Sequence, residues 1–332
     1  MDAQVRVTDS SAWMGRDFCN DTSWVVRLTP AQLDELSAAA RACIARGLAL
    51  TEVKRDDFVL GGLAREIESW AEQINNGRGF VLVKGLPAAQ LGDDMVRMIF
   101  WGIGLHMGTP VSQNSYGEML GEVYDEGVKM GTGRVRGYRT NQRLMFHTDR
   151  ADIVGLLCQR TAKAGGLSSL VSSTRIWNEI ARTHPEYLPP LEHGYIHATM
   201  EEGGAFTTYR VPVYSVKDGT VSCRILRNTI ENARKMGYAK YDELETAALE
   251  YMDALTNDED MRIDMMLERG DMQFINNYTT LHARTAFEDH AEPENKRHMV
   301  RLWLKAFGRR RVVDPEVFKD YDGVEKTLER KS

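Results

Sequence analysis

The sequence predicts a molecule that is mainly β with α, in which helices pack on a β-sandwich or barrel core. Three observations carry that expectation. From Pro110 onward, short runs rich in Val, Ile, Leu and aromatic residues recur between clusters of Gly, Asn and Asp. Ahead of them, two stretches repeat apolar residues at helical spacing. The chain has 332 residues, 42% of them hydrophobic, and shows no internal repeat, low-complexity linker or break in composition. One domain over residues 1–332 is therefore expected, with residues 1–75 as a mainly helical N-terminal part packed on the β core.

The first element is written in TPAQLDELSAAARACIARG. Thr29 and Gln32 make a capping box, Pro30 takes the favoured first helical position and Gly47 follows the end, while Leu33, Leu36, Ala40 and Cys43 repeat at helical spacing. LAREIESWAEQI continues as a second helix into the NNGRG turn. FVLVKGL, apolar and bounded by glycines, then reads as a buried strand, and DDMVRMIFWGIGLHMG as a helix leading into the Pro110 turn. The later strands are MLGEV, DIVGLLCQ, LSSLVSS, YRVPVYSV with TVSCRIL across the KDG turn, DMQFINN and HMVRLWLKAF. Helices at STRIWNEIAR and DELETAALEYMDAL interrupt them.

A formal net charge of −6 gives no global basic footprint for nucleic acid, and Arg309, Arg310 and Arg311 read as a solvated turn. No apolar stretch approaches the ~20 residues that span a bilayer. MDAQVRVTDSS lacks the basic and then apolar order of a signal peptide, so a cytoplasmic protein is expected. Cys19, Cys43, Cys158 and Cys223 are scattered without a C-x-x-C pair, which argues for reduced thiols rather than a zinc knuckle or a disulfide framework. The expected partner is a small molecule, with no nucleic acid and no membrane; a homo-oligomer is compatible with the sequence.

The stretch RLMFHTDRADIVG places His147 two residues before Asp149 at the end of an apolar run. On an extended segment residues two apart share a face, so both side chains can aim at one ion; on a helix they would diverge. Open non-haem Fe(II) centres take two histidines and a carboxylate on one side. His282, in GDMQFINNYTTLHARTAF, offers the third ligand at the end of another strand-like run. Beyond it, Arg297 and Arg301 sit at the start of, and within, an apolar strand that has no packing use for guanidinium groups. Burying that group is costly unless it meets an anion, and its planar fork matches a carboxylate, which suggests a carboxylate cosubstrate. Asp152 falls on the face opposite His147 and is expected to be a structural partner. His193 and His197 have the offset of a helical zinc site, yet they follow two prolines, enclose a glycine and lack the glutamate of His-Glu-x-x-His.

The order His-x-Asp, distant His, then Arg resembles the Fe(II)/2-oxoglutarate-dependent dioxygenases. The stretches GRGFVLVKGLP, GTPVSQN, YRTNQRLMFHTDRAD, AGGLSSLVSS, LERGDMQFINNYTTLHART and RHMVRLWL are similar to the TauD/TfdA family, over roughly residues 60 to 307. That resemblance implies a double-stranded β-helix (jelly-roll) core with N-terminal and inserted helices. It implies Fe(II) held by His147, Asp149 and His282, with 2-oxoglutarate and O2 as cosubstrates. Arg301 would pair with the distal carboxylate of 2-oxoglutarate and Arg297 would contact its other end. The family's Gly-Gly-x-Thr motif stands here as GGLS, so Ser168 replaces a threonine that hydrogen-bonds the same carboxylate, keeping the hydroxyl and losing a methyl. EDHAEPEN lengthens the gap between His282 and Arg297. Family halogenases lack the carboxylate ligand; the presence of Asp149 implies hydroxylation, desaturation or a related C–H oxidation, with release of succinate and CO2.

Substrate contacts are expected from Asn114, Tyr138, Arg139 and Asn141 ahead of the iron motif, from Tyr209 and Arg210 before a hairpin, and from Arg284 two residues past His282. Arginines there suit a small anionic or amino-acid-like molecule. Two rivals stand beside this reading. A zinc hydrolase on a similar His/Asp/His set would leave the arginine pair without a role. A non-catalytic binding protein of the same fold would not need the three ligands that this chain keeps.

Overall fold

The N-terminal pattern folds as its caps dictate, in a computed structural model that describes residues 6–128, 137–200, 206–217, 219–308 and 317–329. Arg309, Arg310 and Arg311 lie outside the described residues. Strand β1 (Val25–Arg27) leads into α1 (Pro30–Ala45), where Thr29 and Gln32 exchange the two bonds of a capping box. Helix α2 (Gly62–Asn75), strand β2 (Phe80–Lys84), the single turn α3 (Ala88–Leu91) and α4 (Asp93–Met107) follow. Next come β3 (Gly108–Pro110), β4 (Leu120–Val123), β5 (Leu144–His147), β6 (Ile153–Arg160), β7 (Ala164–Gly165) and β8 (Ser168–Ser172). An insertion then holds α5 (Ser173–Thr183) and α6 (Leu188–His193), the ribbon of β9 (Tyr195–Met200) and β10 (Phe206–Val211), the ribbon of β11 (Tyr214–Lys217) and β12 (Thr220–Cys223), and helices α7 (Arg227–Lys235) and α8 (Glu243–Asn257). The last strands are β13 (Arg262–Met265), β14 (Met272–Asn276), β15 (Thr280–Arg284), β16 (Phe287–Glu288) and β17 (His298–Ala306).

A larger sheet runs β1-β2-β14-β6-β17-β3, with β4 also paired to β17, and a smaller antiparallel sheet runs β13-β8-β15-β5. Alternation along the strands sorts side chains into layers. Val81, Val83, Phe274, Val300, Leu302 and Leu304 face the N-terminal helices with Leu36, Ile67 and Phe100. Phe80, Leu82, Ile275, Met299 and Trp303 face Leu170, Ile263 and Met265 across the gap between the sheets. Val171, Leu281 and Ala283, on the other side of the smaller sheet, pack on Ile176 and Trp177 of α5 and Met252 of α8. Strands covered on both faces explain why FVLVK and HMVRLWL read as apolar runs. The result is a double-stranded β-helix core with N-terminal and inserted helices. Helix α4 approaches the larger sheet closely because Gly104 lacks a side chain; a Cβ there would stand 2.4 Å from Leu302 Cδ2.

Three expectations need correction. DMQFINNYTTLHAR forms two strands in different sheets, because Asn277 Nδ2 donates to the Ala151 carbonyl at 2.8 Å and the Tyr278 N–H to Asn276 Oδ1 at 2.8 Å, turning the chain from β14 into β15. His282 is therefore mid-strand rather than at a strand end. YRVPVYSV breaks at Pro212, which has no N–H for a ladder, so β10 pairs with β9 and β11 with β12. Helix α7 is additional; it buries only Ile230 and Ala233 among its residues and is laced by ion pairs of Glu231 with Arg227 and Arg234. Among the described residues, no helix is long and apolar enough to cross a membrane.

Candidate metal centre

Strands β5 and β15 are neighbours, and their register sets His282 opposite His147 with ring centroids 4.2 Å apart. Strand β5 ends at His147, so Asp149 lies beyond the ladder and not on the extended segment expected. A turn brings it in: its N–H donates to Asn277 Oδ1 at 3.1 Å. One ligand atom from each of His147, Asp149 and His282 then falls within 4.8 Å of the others, within reach of a single ion.

Their protonation suits a metal. The His147 Nδ1 faces the Met145 carbonyl at 2.8 Å, an arrangement in which Nδ1 carries the proton and Nε2 keeps its lone pair. Desolvation holds His147 below the ordinary imidazole range, and desolvation followed by the charge of His147 takes His282 down to about 3. Burial alone would favour a neutral Asp149, but Arg301 first, and then the two histidines, keep its carboxyl below the usual range. Neutral imidazoles and an ionised carboxylate are the forms that bind a metal.

The Asp149 carboxylate is gripped from β17. Arg301 Nη1 lies 3.2 and 3.1 Å from its two oxygens and Trp303 Nε1 donates to Oδ2 at 3.1 Å. Arg301 is itself clamped, its Nε donating to Gln113 Oε1 at 2.8 Å while Gln113 Nε2 donates to the Arg301 carbonyl at 2.8 Å. The guanidinium stands 5.0 Å from the Tyr138 ring centroid and 4.7 Å from that of Trp303. Trp303, Gln113 and Asn277 escape the sequence reading. The place of Trp303, two residues past Arg301 on an alternating strand, is the signal that points to it. Asp152 is structural, as expected; its carboxylate accepts the Tyr278 hydroxyl and, at 3.0 Å, the Ala306 N–H.

A second polar cluster lies one step along the same inner face. Ser168 stands opposite Arg284 in the β8–β15 register, and Arg284 shares the face of His282. Arg297 lies over the turn of Gly165 and Gly166, which have φ of 73° and 76°. A Cβ on Gly166 would stand 3.2 Å from Arg297 Nε, so backbone and space both call for glycine. The Arg284 and Arg297 guanidiniums are 4.7 and 5.0 Å from the centroid of one ring, Phe287. Arg284 Nη2 donates to the Thr140 carbonyl at 2.7 Å and to that of Gln142. Among the described residues, Arg284 Nε and Nη1 and Arg297 Nη1 are buried without a hydrogen-bond partner. Burial lowers the pKa of both groups, that of Arg284 to about 9 with Arg297 as the next cause, which leaves Arg284 charged at neutral pH.

The remaining candidates are spent elsewhere. Asn114 holds its own turn, its Oδ1 accepting the Tyr116 and Glu118 N–H groups and its Nδ2 donating to Glu118 Oε2 at 2.6 Å. Arg139 is exposed and pairs with Glu126 at 3.5 Å. Asn141 is exposed and its carbonyl accepts the Phe287 N–H at 3.0 Å. Tyr209 stacks on His197 with centroids 6.0 Å apart, and Arg210 donates to the Gly194 carbonyl at 2.6 Å, so both serve the β9–β10 ribbon. His193 ends α6 while His197 lies on β9 against Thr229, so the two do not share a helix face.

Comparison with known proteins gives the following. The model of the family described as Taurine catabolism dioxygenase TauD, TfdA family matches residues 46–303. FR-33289 synthase of Streptomyces rubellomurinus is 29% identical over 305 residues, which cover 90% of this chain and 90% of that protein. A crystal structure of asparagine oxygenase in complex with Fe(II), 2S,3S-3-hydroxyasparagine and succinate matches with a TM-score of 0.68 at 16% identity, over 85% of this chain and 93% of that one. The non-heme iron oxygenase OrfP in complex with Fe and alpha-ketoglutaric acid matches with a TM-score of 0.63 at 12% identity, over 85% and 94%.

Proposed function

We propose, since this chain belongs to the TauD, TfdA family of dioxygenases, that it uses Fe(II), 2-oxoglutarate and O2 to oxidise a C–H bond of a small anionic or amino-acid-like molecule. The observation that carries this reading is the buried cluster of His147, Asp149 and His282 on one inner face with Arg284 and Arg297, whose guanidiniums keep buried nitrogens without a hydrogen-bond partner among the described residues. When bound, iron with 2-oxoglutarate supplies the oxidising power, and succinate and CO2 are released. The chain's own part is to bind, orient and exclude water.

His147, Asp149 and His282 would hold the iron, with Arg301 and Trp303 fixing the carboxylate of Asp149. We assign the two arginines in the order opposite to the expected one. Arg301 donates to a metal ligand, so it sits at the metal end of the cosubstrate. Arg297, four residues or about 13 Å away along an extended chain, has a buried unpaired Nη1 and would take the distal carboxylate with Ser168. Tyr138, whose ring flanks the Arg301 guanidinium, is the expected substrate contact best placed to line the mouth.

The amino-acid-like substrate class is supported by the hydroxyasparagine held by one structural neighbour. Free cysteines, three of the four buried, suit a reducing, cytoplasmic setting. The N-terminal helices share a core with the larger sheet, in keeping with one oxygenase domain. The test is succinate release from 2-oxoglutarate under O2 across a panel of amino acids and small organic anions. Acceleration by a member of the panel, with an oxidised product, is expected; no succinate with any member would refute the reading.

A further inference from the structure

We propose that Arg284 is a second guanidinium of the pocket for the distal carboxylate of 2-oxoglutarate, acting beside Arg297 at the Phe287 ring. This rests on the function proposed above and extends it to a residue on a different strand. Three observations converge. The β8–β15 register puts Arg284 opposite Ser168, the hydroxyl that replaces the family threonine at this carboxylate. Arg284 also lies two residues from His282 on one strand face, a step of about 6.6 Å, which separates a group at the metal end of a short dicarboxylate from one at its far end. Finally, its side chain is buried, with one nitrogen fixed on the Thr140 and Gln142 carbonyls and with Nε and Nη1 left unpaired.

A guanidinium that served only to brace the 140–142 segment would not need a second, equally buried guanidinium at the same ring. Asp289 and Asp125 offset part of the charge. Asp289 Oδ1 is taken by the Arg297 N–H at 2.7 Å, and its Oδ2 makes no hydrogen bond to either side chain. A carboxylate placed between the two forks would satisfy donors from both, where a single arginine offers one edge.

The test compares binding of 2-oxoglutarate with binding of 2-oxohexanoate, a 2-oxo acid with an uncharged tail, to the anaerobic Fe(II)-loaded protein by calorimetry. Wild type is expected to prefer the dicarboxylate. Arg284→Gln should cut that preference by roughly ten- to a hundredfold, as removal of charged hydrogen bonds does, and leave binding of the uncharged acid as it is. Arg284→Lys keeps the charge and loses the fork; it should reduce the preference by several-fold with the melting temperature retained, and it carries the test should the glutamine variant not fold. A preference at the wild-type level in the lysine variant, and in any folded glutamine variant, while Arg297→Gln abolishes it, would overturn this inference alone, and would place Arg284 on the loop or on the substrate. Equal weakening of both acids would do the same. Failure of wild type to distinguish or bind the two acids would overturn the proposed function as well.

Discussion

Asp149 and Asp152 are both buried, three residues apart, and do different work. Asp149→Ala removes a proposed ligand and leaves Arg301 without its carboxylate partner, so iron content and turnover should both collapse. Asp152→Ala removes the acceptor of a tyrosine hydroxyl and of the Ala306 N–H, at about 1–3 kcal/mol for a buried group left unsatisfied, and should lower stability while iron binding persists. Metal analysis beside a denaturation curve separates the two; equal loss of iron in both would contradict the assignment. The arginines divide similarly. Arg297→Ala should raise the 2-oxoglutarate KM by roughly ten- to a hundredfold, whereas Arg301→Ala should chiefly weaken iron binding by freeing Asp149. The reverse pattern in KM and metal content would restore the order first expected from the sequence. At this scale the ligand types were legible because an open iron site accepts few residues. Trp303 and Gln113 were not, since tryptophan and glutamine serve many ends. The pose of Asp149 depends on Asn277, 128 residues away.

The element that keeps Arg297 in place is the start of β17, and β4 pins it there. Glu122 of β4 takes Arg97 Nη1 and Nη2 at 2.8 and 2.9 Å and also meets the His298 ring, next to Arg297. Burial would raise its pKa, but His298 and then Arg97 bring it down from 4.5 to about 2. The folded chain thus holds this proton less tightly than the unfolded one. The stabilisation is complete above 4.5 and is lost as pH falls toward about 2. Glu122→Gln should cost about 1–2 kcal/mol at neutral pH, allowing for solvent screening of a partly exposed carboxylate. The deficit should shrink on acidification below pH 4.5, as urea denaturation at several pH values would show; a deficit that does not vary with pH would contradict it. Most strands were legible as apolar runs because they are covered on both faces. The divisions at Pro212 and Asn277 were not, since they depend on which sheet receives each half. Polar α7 was not legible because it buries only Ile230 and Ala233 and has no side-chain cap at its start.

On the scale of the whole molecule, the site exists only where the two sheets close. The histidines come from β5 and β15 of the smaller sheet, and the residues that grip Asp149 come from β17 of the larger. Helices back each sheet, and the candidate centre lies between the inner faces beside the apolar core that joins them. The order of the candidate ligands along the chain pointed to the centre; the closure of two sheets around it, with the guanidiniums of Arg284 and Arg297 at one ring, depends on tertiary packing that no sequence spacing encodes. Because the folded form alone assembles the ligands, Fe(II) should raise the melting temperature, and 2-oxoglutarate should raise it further. The most direct measurement is anaerobic titration with Fe(II) and then 2-oxoglutarate, followed by visible absorption, in wild type and His282→Ala. A charge-transfer band that appears in wild type on adding 2-oxoglutarate, decays with succinate release when O2 is admitted, and is missing from His282→Ala is expected. No band in wild type, or an equal band in both proteins, would contradict an iron centre built from His147, Asp149 and His282.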